Sequence, residues 1–137
     1  MRTGDTKTIL IVEGNPVLRK LLQKTLQRGG FSVLAAISAQ EAILTEVSFP
    51  GQIHLLLTEV MMPDIMGPDL ANIMRERRPD MRVMLLSHYP DGRILLLNYG
   101  WYFIKKVFLP AVLLSRVNEV LYGEVRDQGT DVFDTRK

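Results

Sequence analysis

Six residues stand where short apolar runs end, so a fold that aligns those runs would bring their side chains together. They are Glu13 and Gly14 after Thr8–Val12, Glu59 after Ile53–Thr58, Ser87 and His88 after Arg82–Leu86, and Lys106 just beyond Trp101–Ile104. Carboxylates can hold a hard cation that wants oxygen ligands. An ammonium beside them can pair with a carboxylate or neutralise charge on a phosphoryl group. Glu13 either ligates such an ion or complements the N-terminus of the helix that follows it. Ser87 either bonds Glu59 or caps local backbone. His88 reads as an exposed loop residue, because nothing in the sequence orients it as a base. His54, inside an apolar run, reads as structural.

Other chemistries are absent from the 137 residues. There is no cysteine, so disulfides, thiolate metal sites and cysteine nucleophiles are excluded, and two histidines cannot build a histidine-rich metal centre. No GxGxxG or Walker loop follows any strand candidate, which speaks against a nucleotide-binding α/β protein. Seventeen Lys and Arg against fifteen Asp and Glu leave a net charge of +2, too weak to argue for nucleic acid. No apolar run approaches the roughly eighteen residues of a membrane span. The expectation is one cytoplasmic domain over residues 8–121, with an arm (1–7) and a polar tail (122–137) too short for an added output domain.

The elements that must position these groups are legible in outline. Thr8–Val12 is a strand buried on both faces. Asn15-Pro16 is an N-cap with proline in the first turn, opening a helix that Gly29-Gly30 closes. Ser32–Ala36 is a second strand. Ser38-Ala39-Gln40-Glu41 is a capping box that opens a helix to about Val47. Ile53–Thr58 is the third strand, Glu59–Gly67 a loop, and Pro68 starts a helix to about Arg77. Arg82–Leu86 is the fourth strand, and a short helical piece ends near Gly100. Trp101–Ile104 is the fifth strand, and Pro110 begins a last helix to about Leu121. Alternating strands and helices imply a parallel sheet covered on both faces, with the site beyond the carboxyl ends of the strands.

Five segments in this order resemble the receiver domain of two-component signalling. Ile9–Pro16 stands where that family carries an acidic pair. Leu56–Pro63 stands at its phosphoacceptor aspartate and the Met-Pro that follows. Gly67 matches its loop glycine, Leu86-Ser87 its hydroxyl residue, and Lys106-Val107-Phe108 its Lys-Pro-Phe. Thr58–Leu70 looks most like receivers of hybrid sensor kinases. The resemblance implies a flavodoxin-like (βα)5 doubly wound sheet in the order 2-1-3-4-5. It implies a signalling module rather than an enzyme, with a sensor histidine kinase or another signalling protein as partner. It implies a Mg²⁺ site at Glu13, Glu59 and the carbonyl of Met61, and phosphate-binding or switch positions at Ser87, Phe103 and Lys106.

Three positions depart from that pattern. Glu59 replaces the acceptor aspartate, Gly14 the second acid, and Val107 the proline. A glutamate places its carboxylate roughly 1 Å further out, an error that can cost about 10²-fold in a transfer reaction. Glu59 could instead reach toward Ser87 and Lys106 as a partial stand-in for a phosphorylated aspartate. Gly14 is read either as a missing ligand or as a turn glycine. Mg²⁺ binding is therefore expected to be weak or absent, so no cofactor is expected. The Lys106–Val107 bond should be trans, since cis costs about 3–4 kcal/mol before a non-proline. Asp64 is a possible substitute acceptor but reads as a turn residue. The leading reading is an atypical receiver acting by protein contacts. The alternative is a functioning receiver that still takes a phosphoryl group from a histidine kinase with Mg²⁺. Ile94–Leu97 is apolar around most of a turn. Beside Phe103 it suggests a partner or homodimer surface on the face of that helical piece, the fifth strand and the last helix.

Overall fold

The computed structural model describes residues 6–87, 101–106 and 108–123. The expectations for His88, the helical piece before Gly100, the Ile94–Leu97 patch, the bond before Val107 and the tail beyond Gly123 lie outside these residues.

The described elements run β1 (Thr8–Val12), α1 (Pro16–Arg28), β2 (Ser32–Ala36), α2 (Ala39–Ser48), β3 (Leu55–Glu59), α3 (Gly67–Arg77), β4 (Arg82–Ser87), β5 (Tyr102–Lys105) and α4 (Pro110–Tyr122). The strands form one sheet in the order β2-β1-β3-β4-β5, and every pairing is parallel. Strand order reverses at β1 and β3, which is where an open α/β sheet leaves a crevice.

Two apolar layers cover the sheet, and residue parity along each strand sorts them. Ile9, Ile11, Leu55 and Leu57 face Leu22 and Leu26 of α1 and Leu113 and Val117 of α4. Leu10, Val12 and Leu56 face Ala39 and Ala42 of α2 and Leu70 and Met74 of α3. Each fully buried Leu or Ile is worth about 1.5–3 kcal/mol. Strands buried on both faces therefore read as continuous apolar runs rather than alternating ones.

The caps form as their residue types dictate. Asn15 Oδ1 accepts from the amides of Val17 and Leu18 at 2.9 and 3.1 Å. Ser38 Oγ accepts from Glu41 N at 3.1 Å, and Glu41 Oε1 accepts from Ile37 N at 2.7 Å. After α1, Gly30 takes the left-handed φ of +94° that lets the chain turn into β2.

Three strands differ in their bounds from the sequence reading, and β4 runs one residue further, to Ser87. β3 begins at Leu55, not Ile53, and includes Glu59. β5 is Tyr102–Lys105, one residue later than read. The cause at β3 is His54, whose side chain takes over a ladder position: Nδ1 accepts from Thr8 N at 2.9 Å. Its own amide donates to Thr8 O at 2.9 Å, and its carbonyl accepts from Arg82 N. The histidine thus ties the start of β1 to that of β4.

Burial and the nearby Lys7 charge hold the His54 pKa below its ordinary 6.5. A lowered pKa means the unfolded chain binds the extra proton more readily. The contribution is complete above pH 6.5 and is lost as pH falls through the lower folded value. The urea midpoint should therefore drop between about pH 7 and pH 5. His54→Asn, which keeps an acceptor but does not titrate, should flatten that part of the profile. An unchanged slope would contradict the assignment.

Candidate functional site

Lys106, Glu13 and Glu59 meet at the carboxyl ends of three strands. The Lys106 ammonium hydrogen-bonds Glu59 Oε2. It lies 3.2 Å from Glu13 Oε1 and 3.4 Å from Glu13 Oε2. The side chains of Lys106, Glu59 and Glu13 are 11%, 17% and 1% exposed, respectively. Lys106 therefore bridges both glutamates.

Local backbone sets this geometry. β5 ends at Lys105, which points to solvent, and Lys106 N then donates to Ser87 O at 2.7 Å. That bond carries the chain past the sheet edge with the next side chain turned inward. Glu13 follows the fully buried β1. Its Oε2 accepts from Asn15 N at 3.0 Å, so it does serve the entry to α1. Glu59 Oε1 accepts from Gly14 N at 3.4 Å. Ser87 ends β4 and is buried. Val60 N donates to Leu86 O at 3.0 Å, holding the chain after β3 against the end of β4.

The charges follow from these contacts. Burial opposes the charged form of Lys106, but the bond to Glu59 and the field of Glu13 outweigh it and raise its pKa, so it is a cation at neutral pH. Burial raises the Glu13 pKa, and the negative Glu59 adds to this. The Asn15 amide and Lys106 offset part of the rise.

The Mg²⁺ site that the resemblance implies does not suit these residues. Glu13 Oε1 is buried without a hydrogen-bond donor, as an ion ligand would be, yet an ammonium stands beside it. Mg²⁺ demands near-ideal octahedral oxygen geometry. Here two carboxylates share a lysine, and no group of three or more His, Cys, Asp or Glu gathers among the described residues. The Met61 side chain is exposed after β3.

Gly14 has no conformational reason to be glycine. Its φ is not positive, and an added Cβ would meet only Ile37 O at 3.6 Å, an ordinary contact. Gly14 does lie in the bend between β1 and α1, but the backbone there accepts a Cβ and does not require glycine. Gly67 is the opposite case. A Cβ there would fall 2.1 Å from Glu59 O, because Gly67 N donates to Val60 O at 2.7 Å and α3 starts directly on the Glu59 backbone. Gly67→Ala must push α3 off the site and should cost about 1–3 kcal/mol. Thermal unfolding checks this, and an unchanged midpoint would contradict it.

The remaining candidates are placed elsewhere. Asp64 Oδ2 accepts from Gln40 N at 2.9 Å, so it is engaged with the first turn of α2. Phe103 is 5% exposed and packs in the α2/α3 layer with Trp101, so its side chain supplies no exposed apolar surface.

Arg19 went unnoticed in the sequence. Its Nη1 donates to Glu13 O at 2.9 Å and Gly14 O at 3.3 Å, bracing the loop that carries Glu13. A basic residue one turn into the helix after the loop was the available signal.

Comparison with known proteins places this geometry. The model of the response regulator receiver domain matches residues 9–118. The chain is 30% identical over 82 residues to the sensor kinase CckA of Brucella abortus (strain 2308), covering 60% of this chain and 9% of that protein. It is 31% identical over 86 residues to the response regulator receiver protein CpdR of the same organism, covering 61% of this chain and 68% of that one. The crystal structure of the receiver domain from hybrid histidine kinase CckA superposes with a TM-score of 0.72 at 31% identity, covering 83% of this chain and 98% of that one. The response regulator TrrA from Thermotoga maritima, in complex with Mg²⁺-BeF, gives 0.74 at 29%, covering 85% and 100%. The chain spans a small part of several curated relatives, such as 9% of CckA and 16% of the transcriptional regulator NtrC of Rhizobium meliloti (strain 1021). With a family match over residues 9–118 and a fold that superposes on solved receiver domains, the chain belongs to the response regulator receiver domain family.

Proposed function

We propose that this receiver signals through protein contacts without taking a phosphoryl group. Its partner is a sensor histidine kinase or another signalling protein, and Glu59 stands in part for the phosphorylated aspartate. The observation that carries this reading is the Lys106 ammonium hydrogen-bonded to the Glu59 carboxylate. In this reading the lysine is the resident cation of the pocket and no divalent ion is required. A phosphate would carry about −1.5 to −2 charges against −1 for Glu59. The pull on Lys106 and on the β4–β5 edge through Ser87 is correspondingly smaller, but it is permanent. No helix among the described residues is long and apolar enough to cross a membrane. A cytoplasmic location accords with that and with the signalling role.

An exposed pair is worth about 0–1 kcal/mol, but the low exposures of Lys106 and both glutamates make breaking this one cost several times more. The test is Glu59→Gln, which keeps the size and removes the charge. Backbone amide resonances of Ser87, Tyr102–Lys106 and the start of α4 should shift, together with self-association or binding to a candidate kinase. Shifts confined to Glu59 and its sequence neighbours would mean that the pocket is decoupled from the surface, and the reading would fail.

A further inference from the structure

Among the described residues, the outer face of α1 is an unpartnered basic and apolar surface. Val17 is 79% exposed and Leu21 42%. With Lys20 and Lys24 they line an open groove of about 590 Å³. Two large aliphatic side chains in water, flanked by two ammonium groups, suit a short segment with apolar residues between carboxylates. The chain itself contains one. Beyond Gly123 the sequence continues with Asp131-Val132-Phe133-Asp134, two acids bracketing two apolar residues. Its point of departure is also right. The Tyr122 ring lies 6.3 Å from that of Phe31, three residues beyond the end of α1. Leu114 of α4 approaches Gly29 at the same end. From Arg28 back to Val17 is 11 residues of helix, or about 16 Å at about 1.5 Å per residue. From Gly123 to Val132 is nine residues, up to about 30 Å extended.

We propose that residues 131–134 dock on the α1 face of the same molecule, with Val132 and Phe133 against Val17 and Leu21 and the two aspartates facing Lys20 and Lys24. Tethering is what makes so short a segment sufficient. A short flexible link gives an effective concentration of about millimolar, so an intrinsic affinity in that range leaves the face covered about half the time. Docking then competes with any partner for α1, and salt weakens it, because the charges are near the surface.

The chain has no cysteine, so a nitroxide can be placed on one site by Thr135→Cys in the full-length protein. In ¹⁵N-labelled, spin-labelled protein, amide signals over Val17–Lys24 should lose intensity, while those of α3 keep theirs. Lys20→Glu with Lys24→Glu should abolish the loss, and adding Asp131→Lys with Asp134→Lys should restore it. No loss over α1 overturns the proposal, as does a loss indifferent to charge reversal. Mixing ¹⁵N protein without the label with spin-labelled unenriched protein separates the remaining case. A loss of equal size there means that the occupant is a second copy, and the intramolecular proposal fails.

Discussion

Glu59→Asp combined with Gly14→Asp should give a protein labelled stoichiometrically by a small phosphodonor with Mg²⁺. Shortening Glu59 by one methylene withdraws its carboxylate from Lys106 by roughly 1 Å and restores the placement on which transfer depends, an effect of about 10²-fold. The second substitution supplies a third carboxylate, and the backbone accepts it, since its Cβ meets only Ile37 O at 3.6 Å. Three carboxylates can then hold the ion that lysine and two glutamates do not suit. Each single variant should recover little. Glu59→Asp alone still lacks a ligand, and Gly14→Asp alone leaves Glu59 on the lysine. Time courses of intact mass for the four proteins decide this. Full labelling of the Glu59→Asp variant alone would show that Gly14 is not the limiting defect.

Glu46→Ala should cost about 3 kcal/mol and lower the thermal midpoint by roughly 10 °C. Glu46 is 2% exposed. It takes two bonds from Arg77, at 3.0 and 2.6 Å, and one from Arg78 at 2.8 Å. Arg78 also donates to the carbonyls of Glu46, Phe49 and Gly51, so one guanidinium closes the C-terminus of α2 and the turn after it. Removing the carboxylate leaves that charge partly buried without its counter-ion. The figure is set at the low end for a buried pair because the Arg77 side chain is 45% exposed and its share is screened. Burial by itself would raise the Glu46 pKa, but the two arginines overcome it and hold the carboxyl below its ordinary 4.5. The contribution is therefore complete above pH 4.5 and is lost as pH falls through the lower folded value. Midpoints of native and variant protein should converge in acid. A constant difference down to about pH 3 would contradict the account.

How far the sequence disclosed this molecule depends on the kind of interaction. Strands and helices were legible because their signals are local: an apolar run such as Thr8–Val12, a cap such as Asn15-Pro16, a terminating glycine such as Gly30. The strand-end positions were legible because a parallel sheet must deliver Glu13, Glu59, Ser87 and Lys106 to one edge. Contacts across long separations were not. Lys106 reaches Glu59 and Glu13 over 47 and 93 residues. The role of His54 in the β1–β3 ladder depends on a register that no local pattern sets. Glu46 left one trace, a charged residue on the buried stripe of Ala39 and Ala42, but its two arginines lie more than thirty residues away. Gly14 and Gly67 look alike in sequence. Only the backbone around them shows that the second is obligatory and the first is not.

The central proposal is that Lys106 has taken the place of the ion, and Glu59, bound to it, part of that of the phosphorylated aspartate. Its most direct test is the intact mass of the native protein after incubation with a small phosphodonor and Mg²⁺, under conditions that label an ordinary receiver to completion. The account predicts no mass gain. A stoichiometric gain of one phosphoryl group that maps to Glu59 would contradict it.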